Sequence, residues 1–172
     1  MTVPSQERPS VPASLQEPFR SALRAAADAW FAGMKEDLIS LVLFGSVARG
    51  QARPSSDIDI VVVARGFPRS LRDRRRPLLE QWERVRASSG LPHVEWNLVT
   101  KSPEEARFRS PLSLDIVEDG MLLFDRGGFF AAVLAGMRER MRALGSRRIR
   151  LDDGSWYWDL KPDFRFGEVV EI

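Results

Sequence analysis

Two short apolar runs, separated by a glycine turn and a polar segment, constrain the fold of this chain more than any other sequence feature. Residues 39–44 are apolar apart from one serine, and they end at Gly45. A run of this length that stops at glycine is typical of a buried strand entering a tight turn. After the polar segment, a second run spans residues 57–63 and is almost entirely aliphatic beyond its first residues. The chain is therefore predicted to fold here as strand, turn and strand.

The turn after the first strand has the composition of an anion-binding loop. Glycine lets the backbone approach a ligand closely. We expect Ser46 to cap a short helical turn at residues 47–50, which leaves free N–H groups and a hydroxyl directed at an anion. Residues 51–56 then form a polar turn that contains a proline. The turn is thus where a phosphate group would bind.

Two aspartates open the second strand. Side chains alternate along a strand, so Asp57 and Asp59 share one face, and the same face continues as Val61 and Val63. Like charges side by side repel, and a divalent cation would compensate them. The alternative is a pair of exposed acids at the mouth of a strand, beside an ordinary turn. The combination of turn and acids in this order favours a site.

In these residues the chain resembles the nucleotidyltransferases of the DNA polymerase β superfamily, specifically their minimal, single-domain members. The family hallmark is Gly-Ser, then Ala-Arg-Gly, then Ser-Asp-hydrophobic-Asp-hydrophobic, and it occurs here at residues 45–50 and 56–60 with a five-residue spacer. The resemblance covers residues 39–63. It implies an α/β fold with a short mixed sheet flanked by helices. It also implies transfer of a nucleoside monophosphate, with AMP the leading case, from an NTP to a hydroxyl, with release of pyrophosphate.

The same resemblance implies roles for individual residues. Asp57 and Asp59 would hold Mg²⁺, as two ions. ATP or another NTP would be the substrate, and the sequence does not distinguish the base. Four motif residues would bind the nucleotide, namely Gly45, Ser46, Arg49 and Ser56.

A third carboxylate is expected on a neighbouring strand, which the apolar pattern predicts at residues 93–100. Glu95 lies there in the hydrophobic-acid-hydrophobic context that the family uses, although most members carry Asp. Its longer side chain would complete the metal site or act as the general base for the acceptor hydroxyl. The alternative for Glu95 is a simple edge-strand charge, and Asp115 is the rival candidate for the third carboxylate.

Helical spacing of apolar residues predicts long helices at 14–34, 70–87 and 130–144, the last of them ended by Gly145. Ser102 favours the start of a short helix, and residues 121–124 a further strand.

The chain divides into three predicted parts. Residues 1–12, with three prolines, are expected to be a flexible leader, residues 13–126 the nucleotidyltransferase core, and residues 127–172 a C-terminal helix and hairpin extension packed on the core. In the hairpin, Trp156 and Trp158 fall on one face. They would pack against the last helix or a partner, which we favour, or form a platform for RNA bases.

An arginine-rich segment opens the second long helix, at residues 72–76. It would contact nucleic acid or an acidic partner, or it is a solvated helix face, and the solvated face is favoured. RNA contact through the arginine-rich and tryptophan-rich segments therefore remains an alternative.

Composition narrows the class of protein. The 172 residues are 44% hydrophobic and 29% charged, with a net charge of +2, which describes a small globular domain. The chain has no cysteine, which excludes disulfides, thiolate zinc sites and a cysteine nucleophile. No signal-peptide core or membrane-length apolar segment is present, so a cytoplasmic location is expected.

The resemblance also implies a partner. Minimal members of the family often act as antitoxins that adenylylate a tyrosine of a HEPN-domain toxin, so a HEPN-domain protein is the expected acceptor. A small molecule or tRNA is the alternative acceptor. A third possibility, from a different class, is a non-catalytic module that sequesters its partner.

Overall fold

A four-stranded mixed sheet organises the fold. The computed structural model describes residues 8–108 and 110–170. In chain order the elements are α1 (Phe19–Met34), β1 (Leu38–Phe44), α2 (Gly45–Ala48), β2 (Ile58–Ala64), α3 (Leu71–Ser89), β3 (Trp96–Lys101), α4 (Pro103–Arg107), α5 (Pro111–Asp119), β4 (Met121–Asp125), α6 (Phe129–Leu144), β5 (Arg147–Arg150) and β6 (Trp156–Asp159). Single 3₁₀ turns at Lys35–Asp37 and Arg126–Gly128 precede β1 and α6.

The strand order is β3-β2-β1-β4. Strand β1 is antiparallel to both β2 and β4, whereas β2 and β3 are parallel. All seven residues of β1 are buried, because neighbours cover both edges of this strand and side chains cover both of its faces. The α/β class and the short mixed sheet flanked by helices are confirmed. The hairpin β5–β6 forms a separate two-stranded sheet.

Strand β2 separates two apolar cores. Its residues Ile58, Ile60 and Val62 pack with helices α1 and α3, and Val61 and Val63 pack with helices α5 and α6. This alternation confirms that the face of β2 that begins with aspartate continues as buried valine. The aspartates therefore belong to the face that α5 and α6 cover.

Tryptophans join α1 and α3 to the sheet. Trp30 is fully buried and donates its indole N–H to the carbonyl of Leu78, at 3.0 Å. Trp96, the first residue of β3, lies edge-on to Trp30 and to Trp82, with ring centroids 5.1 and 5.4 Å apart. Such contacts add stability beyond area burial. They hold the first residue of β3 against α1 and α3.

Asp125 anchors the last long helix. It is buried, and its carboxylate accepts hydrogen bonds from the hydroxyl of Ser40 and from the backbone N–H groups of Phe130 and Ala131, at 2.7, 2.8 and 2.9 Å. Three donors offset the cost of burying the carboxylate. Helix α6 ends at Gly145 in the left-handed conformation, as predicted.

The arginine-rich segment of α3 is not a uniformly solvated face, because Arg74 is buried. Arg74 forms two hydrogen bonds with Glu105, at 2.5 and 3.0 Å, and also donates to the carbonyl of Pro68. The backbone N–H of Ser102 donates to Glu105 as well, at 2.8 Å, within the capping box that begins α4. Arg74 is therefore part of the framework.

The N-terminal segment contacts the core before the first helix begins. Helix α1 begins at Phe19, later than predicted, after Pro18 at the N-cap position. Ser10 already donates its N–H to the carbonyl of Leu123, at 2.7 Å. Residues 1–7 of the predicted leader lie outside the described residues. Across the described chain, no helix combines the length and the apolar character required to cross a bilayer.

Candidate active site

The turn between β1 and α2 lies directly against the carboxylate of Asp59. Gly45 has φ of +74°, and a Cβ atom built on it would lie 2.0 Å from Oδ2 of Asp59. Only glycine tolerates both this backbone conformation and this contact. The glycine turn and the aspartate pair, which are separated in sequence, are thus parts of one site.

The helical turn α2 spans Gly45–Ala48, so it starts earlier than predicted. The prediction that Ser46 is the N-cap is wrong, because Phe44 occupies that position and no side chain makes a capping hydrogen bond. The positive φ of Gly45 lets the chain enter the helical turn at once. Ser46 is then a residue of the first turn, and its carbonyl accepts the N–H of Gln51 at 2.9 Å.

The two aspartates lie where three strands meet. Asp59 is paired with Phe44 of β1 and with Asn97 of β3. Because β1 runs antiparallel and β3 parallel to β2, the end of β1 and the start of β3 share this edge. Asp57 lies one residue before β2 and is exposed, and Asp59 is partly buried. The edge carries two carboxylates beside a glycine turn.

Burial raises the pKa of Asp59 above its ordinary value, and the charge of Asp57 adds to this effect. Two neighbours oppose it. Asn97 donates Nδ2–H to Oδ1 of Asp59 at 2.8 Å, and the positive charge of Arg49 favours the ionised form. The ionised carboxylate is therefore incompletely compensated by the protein and would gain from a bound cation.

The carboxylate pair fits Mg²⁺ that is shared with a substrate. In the part of the chain that the structure describes, no three His, Cys, Asp or Glu side chains come together as a metal-binding group. An all-protein cage is thus not formed by these residues. Mg²⁺ in phosphoryl-transfer sites commonly uses one or two carboxylates, with substrate phosphates and water as its other ligands. Asp57 and Asp59 match that requirement.

Glu95 lies immediately before β3. Its carbonyl accepts the N–H of Ile58, at 2.8 Å, which extends the parallel pairing back to the level of Asp57. The side chain is 77% exposed, and its Oε1 lies 2.8 Å from Nε2 of His93. Its role as third carboxylate stays a prediction.

Asp115, the rival candidate, lies in helix α5. Its Oδ1 accepts hydrogen bonds from the indole N–H groups of Trp156 and Trp158, both at 3.0 Å. The carboxylate thus holds the C-terminal hairpin, with both indoles on one oxygen.

Asn97 is the site residue that sequence reasoning missed. A polar residue between Trp96 and Leu98 is compatible with any half-exposed strand, and nothing in the local pattern points to a site. Its position beside Asp59 follows from the parallel register of β2 and β3. That register joins residues far apart in the chain, so the sequence around Asn97 indicates its role in the site only by the polar side chain itself.

Two predicted nucleotide-binding residues already have partners. The hydroxyl of Ser56 accepts the N–H of Arg53, at 2.9 Å, and closes the turn before β2. Arg49 donates Nε–H to Gln51 at 3.1 Å, and its Nη1 lies 3.7 Å from a carboxylate oxygen of Asp119. Their roles in nucleotide binding stay predictions.

A mixed β-sheet flanked by helices, with paired carboxylates beside a glycine turn, is typical of a class of nucleotide-binding domains. The model of the nucleotidyltransferase domain family matches residues 32–123, more than half of the chain, and the chain belongs to this family. A curated archaeal relative, "Putative protein adenylyltransferase MJ1305" of Methanocaldococcus jannaschii, is 32% identical over 95 residues. The match covers 55% of this chain and 64% of the relative, less than two thirds of its length.

The solved structures to which this chain is similar have low sequence identity to it. One is a toxin–antitoxin crystal structure with AMP-PNP, with a TM-score of 0.45 and 21% identity, covering 72% of this chain and 89% of that chain. Another is the toxin–antitoxin MntA–HepT, with a TM-score of 0.37 and 20% identity, covering 66% of this chain and 81% of that chain.

Proposed function

We propose that this protein is a Mg²⁺-dependent nucleotidyltransferase that moves a nucleoside monophosphate, AMP in the leading case, from an NTP to a hydroxyl group of a protein. The observation that carries the proposal is the contact between Gly45 and Asp59. Because of this contact, a backbone turn suited to binding phosphate lies next to a carboxylate suited to binding a cation. Membership of the nucleotidyltransferase domain family supports the reaction class.

Each residue has a distinct task in this proposal. The turn at Gly45 and Ser46 binds the β and γ phosphates, and Asp57 and Asp59 hold Mg²⁺. When bound, Mg²⁺ supplies positive charge to the phosphate oxygens and to the leaving pyrophosphate. Asn97 orients Asp59 through its hydrogen bond. Catalysis then rests on positioning and charge neutralisation.

Glu95 is proposed as the general base. The acceptor oxygen attacks the α-phosphorus, the bond between this phosphorus and the bridging oxygen breaks, and pyrophosphate leaves. The carboxylate of Glu95 takes the proton of the acceptor hydroxyl. Because this side chain is 77% exposed, a macromolecular acceptor has access to it.

The acceptor is proposed to be a tyrosine of a HEPN-domain partner. The name of the archaeal relative, a protein adenylyltransferase, supports a protein acceptor, and the sequence motif supports the minimal-nucleotidyltransferase type. RNA is a weaker alternative, because Arg74 is paired with Glu105 and both hairpin indoles donate to Asp115. Transfer to a small molecule or tRNA, and sequestration without catalysis, are the other outcomes to be tested.

The test is transfer of radioactive label from NTPs that carry it at the α-phosphate. The purified protein is incubated with Mg²⁺ and each NTP, together with the protein encoded beside it, total RNA or cell lysate. We expect label on a protein band with the wild-type enzyme and none with Asp57→Asn or Asp59→Asn. Asp28→Asn, an exposed acid on α1 at the opposite face of the sheet, is the matched control.

The outcomes separate the candidates. Label on RNA would replace the protein acceptor with a nucleic-acid one. Tight partner binding without label from any NTP would favour sequestration and contradict the proposed reaction. Transfer by Asp57→Asn or Asp59→Asn at the wild-type rate would refute the metal assignment.

A further inference from the structure

The C-terminal hairpin is fastened to helix α5 by its two tryptophans. Trp156 and Trp158 donate to the same oxygen of Asp115, each at 3.0 Å. Arg148 of β5 lies over both indole rings, 5.1 and 5.3 Å from their centroids, and its Nη2 is 2.9 Å from Asp119. The two tryptophans thus share two contacts, one with Asp115 and one with Arg148.

They also differ in two contacts: Trp158 packs against the apolar core that includes α5 and α6, whereas Trp156 contacts Arg49. The guanidinium of Arg49 lies over the ring of Trp156, 4.7 Å from its centroid. Arg49 follows the glycine turn directly, at the end of α2, and its charge acts on Asp59 of the candidate site. The hairpin therefore reaches the phosphate turn through the contact between Trp156 and Arg49.

The contacts of Arg49 restrain its guanidinium from several sides. Trp156 covers one face, Nε donates to Gln51 at 3.1 Å, and Nη1 lies 3.7 Å from Asp119. Among the residues that the structure describes, no hydrogen bond involves Nη2. Asp119 also pairs with Arg148, which lies closer to it. The negative charge of Asp119 is therefore divided between two arginines and does not fully neutralise Arg49. A restrained arginine with an available N–H donor suits an anionic ligand.

We propose that Trp156 is a positioning residue that holds the guanidinium of Arg49 in place for the phosphates of the NTP, so that the C-terminal hairpin forms part of the nucleotide site. This inference rests on the proposed function. Arginine loses much conformational freedom when it binds a ligand, and an arginine held in advance loses less. The hairpin thereby contributes to affinity without touching the nucleotide.

The experiment compares the two tryptophans by titrating each variant with ATP in the presence of Mg²⁺ and measuring the dissociation constant. Trp156→Leu is expected to weaken binding about tenfold, since it removes the aromatic face beneath Arg49. Trp156→Phe keeps an aromatic face and is expected to retain most of the affinity. Trp158→Leu is the matched control, because it loses the same Asp115 hydrogen bond and the same Arg148 contact. It is expected to bind ATP as the wild type does.

A double-mutant comparison makes the test specific for Arg49. In an Arg49→Gln background, Trp156→Leu is expected to cause no further loss of affinity. Melting temperatures show whether a variant remains folded. If Trp156→Leu does not fold, Arg49→Lys replaces it, because lysine keeps the charge but loses the planar group that stacks on the indole. This variant is also expected to bind about tenfold more weakly.

The outcomes distinguish the inference from the function on which it rests. Equal weakening by Trp156→Leu and Trp158→Leu would overturn the inference, as would wild-type affinity in Trp156→Leu or in Arg49→Lys. In each of these cases the wild-type protein still binds ATP, so the proposed function stands. If the wild type binds neither ATP nor any other NTP, the proposed function fails and the inference fails with it.

Discussion

Two carboxylates of this molecule lie in opposite electrostatic settings. Burial raises the pKa of Asp59, and its hydrogen-bond donor is the neutral amide of Asn97. Hydrogen bonds from Arg74 lower the pKa of Glu105 to about 2, with help from the N–H of Ser102. The fold thus supplies a cation to Glu105 and leaves the charge of Asp59 largely for a ligand. This difference separates a structural carboxylate from the one that we propose to bind the cation.

The largest expected effect comes from Gly45→Ala, which disrupts the setting of Asp59. The new Cβ would lie 2.0 Å from Oδ2, so the carboxylate or the turn must move. We expect nucleotidyl transfer to fall below detection, because small displacements of reacting groups are costly. Label transfer and the melting temperature are measured together.

Gly50→Ala is the matched control for this change. Gly50 also has positive φ, +68°, but a Cβ there meets nothing within 4 Å. Alanine at either position therefore causes similar backbone strain, but only alanine at position 45 meets the carboxylate of Asp59. Loss of transfer in both variants, to the same extent, would mean that strain in the turn, and not the displacement of Asp59, is responsible.

Glu95→Gln tests a third carboxylate, which lies near the site but is exposed and paired with His93. If Glu95 is the general base, transfer falls about a hundredfold with little change in KM for the NTP. The measurement is the steady-state rate at saturating NTP. Glu80→Gln, an exposed acid on α3, is the control. A rate within twofold of wild type, on the order of experimental error in such comparisons, would exclude general-base catalysis by Glu95.

Asn97→Ala should sharpen the contrast by raising the pKa of Asp59 further. The hydrogen bond from Asn97 favours the ionised carboxylate, so its loss means that a higher pH is needed to ionise Asp59. The acidic limb of the rate against pH should therefore move to higher pH. At alkaline pH the variant should approach the wild type. An unmoved acidic limb would show that Asp59 does not control it.

Glu105→Gln should have the smallest effect on transfer and a measurable effect on stability. The folded pKa of about 2 lies below the ordinary value of 4.5, so the ionised pair stabilises the fold above pH 4.5. That contribution is lost as the pH falls from 4.5 towards 2. Because the side chain is 45% exposed, solvent screening limits the contribution to about 1 kcal/mol.

Urea unfolding at neutral and acidic pH measures the Glu105 contribution. Glu105→Gln should be less stable than wild type at neutral pH, and the gap should close at low pH. A gap that is independent of pH would mean that packing, and not the charge pair with Arg74, is lost in the variant.

The sequence predicted the elements whose signals are local. The strand before Gly45, the aspartate strand and the helix that ends at Gly145 all follow from apolar runs, glycine and side-chain alternation. The predicted N-cap at Ser46 failed by a small shift, since a positive φ at Gly45 begins the helical turn earlier.

Other features depend on pairings that no local pattern encodes. Asn97 meets Asp59 only because β2 and β3 are parallel in that register. Asp125, which accepts the N–H groups at the start of α6, is joined to β1 by the hydroxyl of Ser40, far away in the chain. The partnership of Arg74 with Glu105 likewise joins two separate helices. In each case, long-range packing decides which polar side chains meet.

The position of β2 between two apolar cores gives the aspartates unequal freedom. Asp59 lies within the strand, paired on both sides, whereas Asp57 precedes the strand on the polar turn. Amide hydrogens of the buried valines of β2 should exchange with solvent only when the whole protein unfolds, and those of the turn should exchange through local opening. Asp59 is thus attached to the part of the molecule that we expect to exchange most slowly, whereas Asp57 lies on a segment that can change conformation locally.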